Sequence, residues 1–118
     1  MRSDIARSAP SCAATRGPWL RLLSQVVELA GPQGEFLTHS ERPWTSATFE
    51  GTRHTVVLAF HGPEGSLPGE AFIAALPDHE FDVPGHLVAD ATIARVERDH
   101  APSPHLQVEA EFLLLNDG

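Results

Sequence analysis

The residues best suited to chemistry lie in one short stretch that mixes imidazole and carboxylate side chains. In chain order this stretch contains Asp78, His79, Glu80, Asp82, His86 and Asp90. Histidine changes charge near neutral pH and a carboxylate can orient it, so the two together can bind a divalent metal ion or transfer protons. The candidate ligands for a metal ion or a small molecule are His79, Glu80, His86 and Asp90.

The spacing of this cluster matches no established metal or catalytic motif. Six residues separate His79 from His86 and a Pro-Gly turn lies between them, so they form neither a helical i, i+4 pair nor a known loop cage. We therefore favour a simpler interpretation, in which the acids are solvated loop residues and His86 lies at the rim of the fold. On this interpretation the chain has no metal site and no catalytic residue.

A second polar group is expected on the sheet face that the helices leave open. Its polar members are His86, Asp90, Thr92, His105, Glu109 and Glu111. Such a face could line a cleft for a cationic or metal-bound ligand, although the wet side of a one-sided antiparallel sheet has the same composition. The apolar residues expected on this face are Trp44, Val57, Ala59, Val88 and Val96. Because they make the face partly apolar, it is also a candidate dimer surface.

Motifs of nucleophilic catalysis and of nucleotide binding are absent from the sequence. No G-x-S-x-G, phosphate loop or Rossmann glycine pattern occurs. Cys12 is the single cysteine, so it can form neither an intramolecular disulfide nor a zinc site. His54, which neighbours apolar residues, is predicted to be a core-edge histidine with a satisfied hydrogen bond. No cofactor is predicted, and the sequence favours a non-enzymatic function.

The elements that position these residues centre on one long antiparallel hairpin, from Pro84 to Leu115. Apolar and polar residues alternate in both of its halves, which is the period-two pattern of half-buried strands. A turn at residues 99–104 would place Arg98 opposite His105. The predicted pairs on the buried side are Ile93 with Ala110, Ala91 with Phe112 and Ala89 with Leu114. A slip of one residue would send the two apolar sets to opposite faces, so the pattern selects this register.

Five elements are predicted before the hairpin. They are a helix from about Pro18 to Ala30, strands Glu35 to Glu41, Trp44 to Glu50 and His54 to His61, and a short helix from Pro68 that ends at Pro77. Arg42-Pro43 is expected to interrupt the first strand, and Gly51-Thr52 to form a type II′ turn that pairs Glu50 with Arg53. The order α-β-β-β-α-β-β predicts an α+β two-layer sandwich, with a five-stranded antiparallel sheet and both helices on one face. Residues 1–15 are predicted to be a disordered tail and residues 16–118 a single domain.

Charge and composition exclude several classes of function. The 118 residues include 16 acidic and 8 basic side chains, which gives a net charge of -8. The basic residues are scattered arginines, so nucleic acid is not an expected partner. No apolar run approaches the roughly 18 residues of a membrane span, and the N-terminus lacks the apolar stretch of a signal peptide. No membrane partner is expected, and the cytoplasm is the expected location.

The run ALPDHEFDVPGHLVADATIARVE, residues 75–97, resembles small uncharacterised proteins of high-GC alphaproteobacteria. The resemblance extends from about Trp44 to the C-terminus. It implies a bacterial origin and assigns no activity and no role to any residue. The sequence therefore predicts a protein-interaction or homodimerisation domain, and the alternative is a small-molecule or metal-binding domain that uses residues 78–90.

Overall fold

The structure, a computed structural model, describes residues 12–116, with side chains from Trp19 onwards. Its elements are α1 (Cys12–Ala30), β1 (Gly34–Thr45), β2 (Glu50–His61), α2 (Gly62–Ala75), a 3-10 turn (Leu76–Asp78), β3 (His86–Asp99) and β4 (His105–Asn116). The strands form one antiparallel sheet in the order β1-β2-β4-β3. The predicted α+β class with an antiparallel sheet is confirmed. The prediction of five strands is wrong, because the sheet of the described residues has four and the element order is α-β-β-α-β-β.

Both helices pack on one face of the sheet. The core consists of Leu22, Val26 and Ala30 of α1, Phe72 of α2, Leu76, Val83, and the inward residues Val56, Leu58, Phe60, Leu106, Val108, Ala110, Phe112 and Leu114 of β2 and β4. α2 lies close to the sheet because Gly69 has no side chain, and a Cβ there would meet Phe60 and Leu106. The central strands β2 and β4 therefore supply the floor on which both helices rest.

The ends of the helices only partly follow the sequence prediction. α1 ends at Ala30 as predicted, because Gly31 adopts φ 81° and its N–H donates to the carbonyl of Val27 at 3.0 Å. The helix begins at Cys12, within the predicted tail, whose residues 1–11 lie outside the described part of the chain. α2 begins at Gly62, before the predicted start at Pro68. Neither helix within residues 12–116 is long and apolar enough to cross a membrane.

The first hairpin differs most from the prediction. Arg42 and Pro43 do not interrupt β1, which continues to Thr45. β1 is an edge strand, where a proline need not remove a hydrogen bond from the interior of a sheet. The turn instead lies at residues 46–49, where the Ser46 hydroxyl accepts the backbone N–H of Phe49 at 3.1 Å. Two predicted strands are therefore one, and this accounts for the missing fifth strand.

The predicted turn at Gly51-Thr52 is wrong, because both residues lie inside β2. Gly51 pairs with Trp44 on one side and Leu115 on the other. A Cβ at Gly51 would overlap the backbone carbonyl oxygen of Leu114. The glycine is therefore needed for the close approach of β2 and β4. The predicted pair of Glu50 with Arg53 is absent, and Arg53 faces Arg42 instead.

The long hairpin of β3 and β4 is confirmed, with its register correct only in the middle. Ile93 pairs with Ala110 and Ala91 with Phe112, as predicted. The register shifts once between Val88 and Asp90 and again between Ile93 and Arg95. The predicted pairs beyond these bulges are wrong: Leu114 faces Val88 instead of Ala89, and His105 faces Asp99 instead of Arg98.

The bulges turn more of β3 toward the core. Each adds one residue to β3 and reverses the facing of the residues beyond it. Val88 and Val96, which were expected on the open face, consequently pack against the core beside Ala91 and Ile93.

We expect Gly51→Ala to destabilise the fold by about 2 to 3 kcal/mol, because the added methyl group must push apart the paired backbones of β2 and β4. Gly85→Ala is the matched control, since Gly85 has open space around its missing Cβ and only its φ of 80° opposes a side chain. That control should lose only about 1 kcal/mol. Urea unfolding measures both variants, and a Gly51→Ala variant no less stable than Gly85→Ala would contradict the role given to Gly51.

Candidate functional site

The histidine and acid cluster of residues 78–90 does not come together in the structure. His79 and Glu80 are exposed in the loop after α2, where the His79 ring packs on the edge of Phe81 with centroids 4.6 Å apart. His86 pairs with Asn116 and Asp90 with Leu113, on either side of the first bulge of β3. The prediction that His86 and Asp90 share one strand face is therefore wrong. Among the described residues, no group of three or more His, Cys, Asp or Glu side chains could hold a metal ion.

The loop that carries this cluster attaches α1 to the sheet. The side-chain carbonyl of Gln25 accepts the backbone N–H of Asp82 at 2.7 Å, and its amide donates to the Asp82 carbonyl. Phe81 meets Phe112 edge-on with centroids 5.3 Å apart, and Val83 is buried. These contacts give the loop a structural role on the inner side of the sheet.

The open sheet face differs from the prediction in the apolar residues that it carries. Asp90, Thr92, His105, Glu109, Glu111, Trp44, Val57 and Ala59 lie on it as expected, whereas His86, Val88 and Val96 face the other way. Its charges partly neutralise one another, with Arg53 3.6 Å from Glu111 and Arg95 2.9 Å from Glu97. A shallow depression on this face is lined by polar residues alone, namely Arg95, Glu97, Gln107 and Glu109. The face loses Val88 and Val96 but carries Leu87, which lies opposite Leu115 and is 55% exposed, so one exposed leucine stands in place of the two expected valines.

A pair of histidines, His54 buried and His39 half-buried, joins β1 and β2 beneath α1. Nε2 of His39 lies 2.9 Å from Nδ1 of His54, and the Trp19 ring stacks on His39 with centroids 3.4 Å apart. His54 is only 4% exposed. The prediction of a core-edge histidine with a satisfied hydrogen bond is confirmed for His54, while its partner His39 was not identified from the sequence. The period-two pattern of β1 gave no signal for it, because Phe36 and His39 are three residues apart and share a face only through the bulge at Leu37.

Both histidines of this pair are neutral at pH 7. Burial lowers the pKa of His39 to about 4. Burial also lowers the pKa of His54 to about 4, and the nearby imidazoles of His39 and His86 add to the effect. A neutral imidazole has one N–H and one lone pair, so each ring can complete the other's hydrogen bond. The pair therefore stabilises the contact between α1 and the sheet only in its unprotonated form.

The exposed apolar side chains concentrate at one side of the molecule. The large ones among the described side chains are Leu20, Val27, Phe36, Leu37, Phe49, Leu67 and Leu87. Four of these seven belong to α1 and β1. We call this group, Leu20, Val27, Phe36 and Leu37, the α1–β1 edge surface.

The α1–β1 edge surface combines one flank of α1 with the neighbouring edge strand. Leu20 and Val27 are two helical turns apart and so occupy one flank of α1. The opposite flank carries Gln25, which bonds the loop at Asp82. Trp19, next to Leu20, contacts Phe36 of β1 with ring centroids 6.3 Å apart. The exposed flank of α1 and the edge strand thus form one candidate binding surface.

The two edges of the sheet differ in how they are protected against pairing with another strand. β3 has two bulges and a charged end, Arg95-Val96-Glu97-Arg98-Asp99. Arg98 is also held by α2, with its guanidinium donating to both carboxylate oxygens of Glu70 at 2.7 and 2.8 Å. β1 has one bulge, at Leu37, and its residues 38–40 carry no formal charge at neutral pH. Bulges and charges are the usual means of blocking an edge, so β3 is the blocked edge and β1 the more accessible one.

The pair of His39 and His54 predicts a loss of stability on acidification. In the unfolded chain each histidine takes up a proton near its ordinary pKa of 6.5, whereas in the folded chain it does so only near a pKa of about 4. The free energy of unfolding should therefore be fully supported by the pair above pH 6.5 and fall as the pH decreases from 6.5 to 4. Urea unfolding of the double variant His39→Gln/His54→Gln should show a free energy of unfolding that depends less steeply on pH in this range. The difference in slope should correspond to on the order of one to two protons.

The matched control for this experiment is His100→Gln, because His100 is exposed in the loop between β3 and β4. This control should keep the wild-type pH dependence. If the double variant titrates as steeply as the wild type, the histidine pair is not the source of acid sensitivity.

Comparison with known proteins does not place the chain in a family. No protein-family model, no curated protein and no solved structure matches it. The resemblance of residues 75–97 to alphaproteobacterial proteins stays a prediction, and the proposals that follow depend on the geometry of the described residues.

Proposed function

We propose that this protein is a non-enzymatic homodimerisation module whose dimer contact is the α1–β1 edge surface. The observation that carries the proposal is the concentration of Leu20, Val27, Phe36 and Leu37, each between 39% and 52% exposed, beside an accessible edge strand. Apolar side chains next to unpaired backbone groups suit a contact that buries both.

A two-fold arrangement accounts for the features of β1. In a symmetric dimer the same patch is used by both copies, so β1 pairs antiparallel with β1 of the second copy. The bulge at Leu37 and the ring of Pro43 limit this pairing to Thr38–Arg42. When the two copies pair about Ser40, at the centre of that segment, no two like charges face each other. The flanks of α1 then meet across the axis, where Leu20 and Val27 bury the surface that each monomer leaves exposed.

The charge distribution favours β1 over β3 as the paired edge. The chain has a net charge of -8, so two copies repel one another at long range. When two β1 segments pair about Ser40, Glu41 faces His39 and Arg42 faces Thr38, so no like charges meet, whereas self-pairing of β3 would bring together its charged ends. His39 contributes to this difference, because its lowered pKa, about 4, keeps it neutral at pH 7.

The cytoplasm of a bacterium is part of this proposal. A single cysteine among 118 residues is consistent with a reducing compartment, and the absence of lysine beside abundant alanine, glycine and arginine is typical of GC-rich bacterial genomes. The acidic charge gives no support to a nucleic-acid partner. The alternative of a small-molecule or metal site at residues 78–90 receives no support from the positions of its four candidates.

Sedimentation equilibrium over a series of protein concentrations tests the proposal. The wild-type chain should form a dimer, and the double variant Leu20→Glu/Val27→Glu should dissociate more readily. Each leucine or valine would bury about half of its side chain, worth roughly 1 kcal/mol, and each substitution is present twice in the dimer. With the added cost of desolvating the glutamates, we expect about a hundredfold weaker dimer per substitution.

Leu87→Glu is the matched control, because Leu87 is 55% exposed and lies on β3, at the other edge of the sheet. This variant should dimerise as the wild type does. A chain that remains monomeric at high concentration excludes the proposed function. A dimer that Leu87→Glu disrupts and Leu20→Glu/Val27→Glu does not would keep the function and show that the surface is wrong.

A further inference from the structure

A second histidine pair lies on the open sheet face, at the end of the two central strands. His61 of β2 and His105 of β4 are direct cross-strand partners. Their Nδ1 atoms lie 3.1 Å apart, and their ring centroids 4.7 Å. The His61 side chain is 57% exposed, so solvent and small ions reach this pair.

A carboxylate orients the first of these imidazoles. Nε2 of His61 donates its proton to Oε1 of Glu35 at 2.8 Å. That hydrogen bond fixes the tautomer, because the proton stays on Nε2 and the lone pair is left on Nδ1, which faces His105. A histidine with one nitrogen bonded to a carboxylate and the other free is the arrangement that protein metal sites use to orient and strengthen a ligand.

The spacing of the two nitrogens suits a shared cation. Imidazole nitrogens bind zinc at about 2.0 to 2.1 Å, so two of them lie about 3.4 Å apart at a tetrahedral angle and about 2.9 Å apart at a right angle. The observed 3.1 Å lies between these values. A small rotation of either ring about its Cβ–Cγ bond directs both lone pairs at one point.

We propose that His61 and His105 bind one late first-row divalent cation through their Nδ1 atoms, with Glu35 as the outer residue that orients His61 and water as the remaining ligands. Zinc sites in proteins usually have three or four protein ligands. With only two, the cation stays exchangeable. Affinity follows the general order for nitrogen ligands, with Cu²⁺ above both Ni²⁺ and Zn²⁺. Asp99, which faces His105 from β3, and the net charge of -8 favour a cation at this end of the sheet.

Binding requires a change of tautomer at His105 together with this small ring rotation. Without the cation, Nδ1–H of His105 donates to the lone pair of His61 Nδ1. With the cation, the proton of His105 occupies Nε2 instead, and both Nδ1 lone pairs coordinate the metal. The pair of His39 and His54 has a similar spacing, 2.9 Å, but is closed to ions because His54 is only 4% exposed beneath α1.

Isothermal titration of the full chain, without a polyhistidine tag, with Cu²⁺, Ni²⁺ and Zn²⁺ salts tests the proposal. One cation should bind per chain. His61→Gln and His105→Gln should each weaken binding by about 100-fold. Each variant leaves a single imidazole, and the cation loses a second ligand that the fold holds close to the first at a high effective concentration. Glu35→Gln should weaken it by about tenfold while both ligands remain, which is the effect expected of an outer residue.

His100→Gln is the matched control, since His100 lies five positions from His105 in an exposed loop, and it should bind as the wild type does. Paramagnetic broadening of the His61 and His105 ring signals by Ni²⁺ provides a second readout, which locates the cation without a measured binding constant. The Leu20→Glu/Val27→Glu variant should bind the cation normally, so the metal site and the dimer contact are tested separately. Absence of binding at millimolar cation, one cation per two chains, or unchanged binding by His61→Gln and His105→Gln each overturns the proposal.

Discussion

The pairing of β2 with β4 is the interaction on which the rest of the structure depends. Inward and outward residues alternate along both strands. The inward ones are almost fully buried, among them Leu58, Phe60, Val108 and Phe112. Because these strands are neighbours in the centre of the sheet, one apolar layer is continuous across the fold and both helices can rest on it. The glycine at position 51 permits the close approach of the two backbones at one end of this pair. Burial on a single face leaves the opposite face and the two outer strands to meet solvent or a partner.

The outer strands respond to this exposure in different ways. β3 uses its two bulges to pack Val88 and Val96 against the core, and the charged residues of this strand are concentrated at its end, from Arg95 to Asp99. β1 uses its inward residues to hold α1, through the stacking of Trp19 on His39. α1 covers the edge of the sheet incompletely, so part of its own apolar surface and that of β1 stay exposed. The side of the molecule best suited to a second copy is therefore a consequence of where α1 is anchored.

Two histidine pairs with nearly equal spacing have different chemical possibilities because of their surroundings. The nitrogens of His39 and His54 are 2.9 Å apart and those of His61 and His105 are 3.1 Å apart. Desolvation beneath α1 keeps the first pair neutral and makes it part of the core. The second pair is open to water and has a carboxylate beside it, so its lone pairs are available to an ion. Sequence spacing alone does not distinguish these pairs, since all four residues lie on strands.

The sequence by itself determined the α+β class, the hairpin of β3 and β4 with its central register, and the end of α1 at Gly31, because each follows from local periodicity or from a glycine cap. The bulges of β3 were not decided by the sequence, because the three, two and three-residue spacing of Val88, Ala91, Ile93 and Val96 favours them while Leu87, Ala89, Ala91 and Ile93 alternate as in a regular strand. Only the tertiary structure decided that Pro43 lies on an edge strand, that Gly51 lies against the backbone of Leu114, and that His86 and Asp90 face opposite ways. The physical reason is that the conformation accepted by a proline or a glycine, and the direction of a side chain beyond a bulge, depend on the neighbouring strand, which can be far away in the sequence.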